Sequence, residues 1–124
     1  MTEFKQEIAG RIAEMMSDKP LNDLAMTFLQ ATTQPKYSYN YHWQDRPIIQ
    51  YPQDIVAMQE LIWSIKPDLI IETGIAHGGS LVFSASMLAL LDMCDAIEAG
   101  TVIDPSKSSR KVLGIDIDIR AHNR

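Results

Sequence analysis

Nine consecutive residues, Glu72–Thr73–Gly74–Ile75–Ala76–His77–Gly78–Gly79–Ser80, gather a carboxylate, three glycines, an imidazole and two hydroxyls. Gly74 lets a chain turn sharply without a Cβ clash, and Gly78 and Gly79 let a ligand approach the backbone. A helix that starts after such a turn aims its free N–H groups and positive end at the same place, where an anion is welcome. Ser80 adds a hydroxyl to that anion, whether it is a phosphate or an amino-acid carboxylate. Glu72 is placed to accept a hydrogen bond from an ammonium or a bound water. Further along, Asp116 ends an apolar run, and a carboxylate there suits a ribose diol, because it accepts two hydrogen bonds. The set as a whole fits an aminoacyl nucleoside.

Positioning these groups requires strand, turn, helix, strand. Asp68–Leu69–Ile70–Ile71–Glu72–Thr73 is apolar without alternation, which predicts a strand buried on both faces. Residues 80–91 are apolar almost all round, as in a helix packed on a sheet. Residues 92–110 read as polar and irregular, broken by Gly100 and Pro105. Lys111–Val112–Leu113–Gly114–Ile115–Asp116 restores a strand, giving a βαβ unit with parallel pairing. Upstream, Ile55, Met58, Leu61, Ile62 and Ile65 form a helical stripe with Asp54 in the N-cap place and Pro67 at the end. Residues 4–16 and 21–29 carry helical spacing on either side of Pro20.

Residues 32–52 hold Pro35, Pro47 and Pro52 with Tyr37, Tyr39, Tyr41, Trp43 and Tyr51 among polar side chains. This predicts an ordered loop or edge strand, either a substrate-contacting lid or a cover of rings over the core. The expected division is residues 1–53, helices plus this lid-like segment, and residues 54–124, the first part of a nucleoside-binding domain.

With 46% hydrophobic and 22% charged residues, the chain of 124 residues has a globular composition. A net charge of −5 argues against a nucleic-acid partner, which needs a basic face. The single Cys94 excludes an internal disulfide and a thiolate-rich zinc site, and reads as a buried, inert thiol. His42, His77 and His122 show no iron-triad spacing. Asp92, Asp95 and Glu98 look like a solvated helix end rather than a metal cage. No signal peptide is read at the start, and no run approaches bilayer-spanning length, so the expected setting is cytoplasmic.

The glycines are spaced Gly-x-x-x-Gly, and Asp116 lies further along than a dinucleotide fingerprint expects. A P-loop is excluded, since no Gly-Lys-Ser/Thr follows. Four stretches carry a resemblance: Gln50–Tyr51–Pro52–Gln53–Asp54, residues 67–74, His77–Gly78–Gly79–Ser80, and Gly114–Ile115–Asp116–Ile117–Asp118–Ile119–Arg120. Together they resemble the cephalosporin hydroxylase family, which looks like a group of S-adenosylmethionine (SAM)-dependent methyltransferases that includes rhamnosyl O-methyltransferases. The Glu-x-Gly-x-x-x-Gly-x-Ser spacing is also similar to that of catechol O-methyltransferase.

The resemblance runs from about Tyr39 to Arg124. It implies an α/β chain forming the N-terminal part of a Rossmann-like methyltransferase fold, a helical segment plus the first βαβ unit. Carried over by position, Glu72 and Gly74 line the methionine part of SAM, Ser80 its carboxylate, and Asp116 the ribose. Gly78 and Gly79 belong to the same turn, and His77 faces cofactor, substrate or solvent. Asp118 and His122 lie on the wall of the site or in a solvated loop. Members of the family are longer, so the expectation is a truncated chain, inactive alone, whose parent adds the catalytic base and any divalent metal such as Mg. The expected acceptor is a hydroxyl of a sugar, glycolipid or secondary metabolite, and homo-oligomerisation is open. Two rivals stand beside this: an NAD-dependent oxidoreductase or epimerase, and a non-catalytic interaction module.

Overall fold

The computed structural model describes residues 2–123, the side chains of Thr2 and His122 excepted. The chain divides into two compact units, Met1–Tyr37 and Ser38–Arg124. The aromatic segment from Ser38 onward groups with the second unit, where Tyr41 and Trp43 pack on that unit's core.

In the first unit, α1 (Thr2–Ser17) and α2 (Lys19–Thr33) are joined by Asp18 alone. The Asp18 carboxylate caps the Leu21 N–H at 3.0 Å, and Pro20 sits in the first turn, where its missing N–H costs nothing. Pro20 thus starts a helix. The Asn22 amide donates to the carbonyls of Met15 and Met16, closing the end of α1. The apolar stripe Phe4, Ile8, Ile12 and Met15 is exposed, and no residue of α2 is buried.

The second unit opens with an antiparallel hairpin, β1 (Tyr41–Trp43) and β2 (Arg46–Ile48). Its turn residues Gln44 and Asp45 both have positive φ, 47° and 63°, as a two-residue hairpin with right-handed twist demands. Next come α3 (Pro52–Ile65), β3 (Leu69–Thr73), α4 (Gly79–Ala99) and β4 (Lys111–Ile115). Strands β3 and β4 pair in parallel, Leu69 opposite Lys111 and Thr73 opposite Ile115. The βαβ order and the α/β class are as expected.

Four local expectations need correction. Helix α3 begins three residues early: Tyr51 is its N-cap, because the residue before a proline is driven into extended backbone. Asp54 sits instead in the first turn, where a carboxylate suits the positive end of the dipole. Helix α4 runs on to Ala99, so residues 92–99 are helical, and Gly100 ends it in the left-handed region at φ 65°. At 21 residues α4 is long and apolar enough, by length and composition, to cross a membrane, contrary to the sequence reading. One part of it packs against the hairpin, α3 and β4, while Leu90, Met93 and Ile97 stay exposed. Finally, β3 is covered on one face only. Ile70 and Val112 pack toward the core, whereas Leu69 and Ile71 keep 51% and 56% of their surface exposed.

The core consists of Ile48, Ile62, Phe83, Leu88 and Leu91. Ile48 and Leu91 are 1% exposed. The hairpin belongs to this core. Trp43 meets Phe83 edge to face at 5.0 Å, and its indole N–H donates to Ser86 Oγ at 3.1 Å. Of the segment's rings, Tyr41 and Trp43 pack on the core, while Tyr39 stays exposed.

Candidate functional site

The parallel pairing brings the ends of β3 and β4 side by side, with the turn of residues 74–78 above them. Gly74, at φ 77°, donates its N–H to Ile115 O at 2.8 Å, carrying the ladder one step beyond β3. Ala76 (φ 44°) and Gly78 (φ 78°) then reverse the chain, and Gly78 closes the turn onto Ile75 O at 2.7 Å. Gly78 is the N-cap of α4, and among the described residues no side chain caps that end. The first N–H groups of a 21-residue helix therefore face the turn without an internal acceptor.

Beside this turn is a cavity of about 400 Å³, lined by Glu72, Gly74, His77, Gly79 and Ser80. Asp54, Ile55 and Met58 of α3 and Pro47 and Ile48 of the hairpin form further parts of its wall. Five of the seven residues expected at a cofactor thus share one cavity. Gly78 and Asp116 do not line it.

The three glycines have three different surroundings. A Cβ on Gly74 would meet nothing within 4 Å, so this backbone is bare toward the cavity. A Cβ on Gly79 would lie 2.2 Å from the Pro47 carbonyl oxygen and 2.8 Å from Ile48 Cα. Gly79 is therefore needed for the hairpin to seat on α4. At Gly78 the neighbour is Asn123 Oδ1, 2.8 Å from the place of a Cβ.

Glu72 and Ser80 are both half-buried, and the Ser80 hydroxyl donates to Glu72 Oε1. The pair holds the carboxylate at the cavity wall and leaves its second oxygen for another donor. Asp116 has a different setting from the one expected. Its Oδ2 accepts the Ile75 N–H at 2.9 Å and its Oδ1 the Asp118 N–H at 3.0 Å. The backbone N–H of Asp118 foremost, with those of Ile75, Ala76 and Ile117, holds the carboxyl below the usual carboxylate range. This carboxylate fixes the glycine turn from the neighbouring strand end.

His77 is half-buried, with Nε2 3.0 Å from Arg120 Nη1. Asp118 is exposed, and the His122 side chain lies outside the described residues. Sequence reasoning missed Arg46 and Asn123: Arg46 Nη1 donates to Asn123 Oδ1 at 2.9 Å, and Asn123 Nδ2 donates to Ala76 O at 2.8 Å. No spacing pattern could have revealed them, since 77 residues separate the two.

A second cluster corrects the picture of a solvated acidic helix end. Arg110, with 11% of its side chain exposed, reaches Asp92 and Asp95 at 2.6 Å each. Ser108 first, and then Arg110, keep the Asp92 carboxyl below the usual range, while Asp95 and Asp92 push the Arg110 guanidinium up. This ties the loop before β4 to α4. Cys94 nearby is half-buried rather than buried, and free. Among the described residues no group of three His, Cys, Asp or Glu converges as a metal cage.

A family profile described as rhamnosyl O-methyltransferase/CmcI matches residues 35–124. No significant match was found among curated proteins or among solved structures. The matched span covers the hairpin, α3, the glycine turn, α4 and both parallel strands, the elements that build the cavity. This chain belongs to the rhamnosyl O-methyltransferase/CmcI family.

Proposed function

We propose that this chain supplies the donor-binding site of a SAM-dependent O-methyltransferase acting on a hydroxyl of a sugar, glycolipid or secondary metabolite. One observation carries the proposal: a single cavity joins the Glu72 carboxylate, the bare Gly74 backbone and the uncapped start of α4. An amino-acid end group carries an ammonium and a carboxylate at once, and this wall offers an acceptor for the first and N–H donors for the second. A nicotinamide dinucleotide needs a diphosphate cradle of different glycine spacing and has no use for Glu72.

In this reading Glu72 Oε2 takes the ammonium and the first N–H groups of α4 take the carboxylate, while Ser80 Oγ keeps its proton on Glu72 Oε1 and holds that carboxylate in place. Asp116 has two duties: its amide contacts hold the turn, and its remaining lone pairs serve a ribose diol. Bound SAM supplies an electrophilic methyl on a sulfonium, and in-line placement of the acceptor oxygen supplies much of the rate. The cavity residues bind and orient, while deprotonation of the acceptor, by a base or a metal, is assigned to no residue here. The same reading carries no nucleic-acid partner, from the net charge of −5.

Titration calorimetry with SAM and separately with NAD tests the proposal. Saturable SAM binding that weakens in Glu72→Gln is expected. Binding of NAD with no response to SAM would move the chain to the oxidoreductase reading.

A further inference from the structure

We infer that Asn123 is a positioning residue for the glycine turn, with Arg46 as its anchor. The clasp is a matter of geometry, while the binding of a methyl donor at that turn rests on the methyltransferase reading. One amide group bridges two elements: Nδ2 donates to Ala76 O at 2.8 Å, and Oδ1 accepts from Arg46 Nη1 at 2.9 Å. The same guanidinium nitrogen also reaches His77 O at 3.4 Å.

Ala76 is the residue in need of holding. It is a non-glycine at φ 44°, a region where Cβ crowds the backbone and which persists only when its surroundings enforce it. Asp116 fixes the peptide on one side through the Ile75 N–H, and Asn123 fixes it on the other through the Ala76 carbonyl. Both fasteners come from the segment after β4. The clasp also explains glycine at position 78 independently of any ligand, because a Cβ there would lie 2.8 Å from Asn123 Oδ1 and 3.4 Å from Arg46 Nη1.

Arg46 makes the clasp more than a local turn device. It belongs to β2, whose next residues Pro47 and Ile48 form another part of the cavity wall. Tying Arg46 to Ala76 through Asn123 fixes these two parts of the wall relative to one another. Loss of the amide leaves the carboxylate of Glu72 and the start of α4 in place but lets the turn between them relax. Pre-organisation of the cavity is then lost without loss of any group that would touch a bound cofactor.

The test uses the full chain, with Asn123→Ala, the isosteric Asn123→Asp and Arg46→Met. Asn123→Asp keeps the acceptor for Arg46 and removes the N–H for Ala76, so it separates the two arms. Amide hydrogen exchange at Ile75 and Gly78 reports the turn directly, and calorimetry with SAM reports the cavity. Both Asn123 variants are expected to exchange faster at these amides and to bind SAM roughly tenfold more weakly, the equivalent of one well-placed hydrogen bond, with unfolding midpoints near that of the parent. Combining Asn123→Ala with Arg46→Met should add little to either alone. Unchanged exchange and affinity in Asn123→Ala, or parental behaviour of Asn123→Asp, would overturn the inference. Faster exchange in the variants with no SAM response in any protein, the parent included, would uphold the clasp and sink the methyl-donor reading.

Discussion

Replacing Gly79 by alanine separates a packing glycine from a ligand-facing one. The added Cβ would sit 2.2 Å from Pro47 O, 2.6 Å from Pro47 C and 2.8 Å from Ile48 Cα, whereas ordinary contact begins near 3.4 Å. All three neighbours are main chain, so no rotamer change relieves the clash. The hairpin must retreat, and with it Ile48, 1% exposed, and Trp43 on Phe83. Overpacking of this kind costs about 1–3 kcal/mol. The helix-propensity gain of alanine, at most about 1 kcal/mol, is smaller still at the first residue of a helix. A net loss of about 2 kcal/mol is therefore expected. Urea unfolding followed by tryptophan fluorescence measures it. Gly74→Ala is the control, because no atom lies within 4 Å of its added Cβ. Its positive φ of 77° is the remaining obstacle. Backbone strain of that kind costs roughly 1–2 kcal/mol. The larger effect of Gly74→Ala should fall on SAM affinity, since Gly74 lines the cavity and the new methyl group meets no protein atom within 4 Å. Were Gly79→Ala as stable as the parent, the assignment of this glycine to hairpin seating would be wrong.

Other consequences can be checked alongside. Ser80→Ala should weaken SAM binding by a factor of about 5–10, because Glu72 loses the charge-assisted hydrogen bond that fixes its carboxylate, and calorimetry showing no change would remove the Ser80–Glu72 pair from the site. Arg110→Met should cost about 1–3 kcal/mol, because Asp92 and Asp95 lose a partly buried partner; an unchanged urea midpoint would show the cluster to be ornamental. Trp43→Phe keeps a ring on Phe83 and loses the bond to Ser86, for about 1 kcal/mol in the same assay. The Asp116 and Asp92 carboxyls are depressed in the folded chain, so the stability they contribute is full above their unfolded values and is lost as pH falls through the folded ones. Acid unfolding should therefore steepen below about pH 4, and Asp116→Asn should flatten that limb; a parental acid profile in the variant would contradict the role of Asp116 in the turn.

Much of the local structure was legible in the chain itself. Apolar runs bounded by breakers marked β3 and β4, the stripe after Pro52 marked α3, and the glycine spacing with Glu72 and Ser80 marked the turn, because each depends on neighbours within a few residues. The tertiary structure decided what those residues face. Gly74, Gly78 and Gly79 look alike in sequence, yet one borders open space, one the Asn123 amide and one the Pro47 carbonyl. Asp116 reads as a ribose acceptor, and folding gives its oxygens to backbone N–H groups of the opposite turn and of its own loop. Arg46 and Asn123 carry no local signal, since their meeting depends on how the hairpin and the segment after β4 converge on one turn. Short-range sterics and hydrophobic period are properties of a stretch of chain. Which atom fills the space beside a missing Cβ is a property of the packed whole.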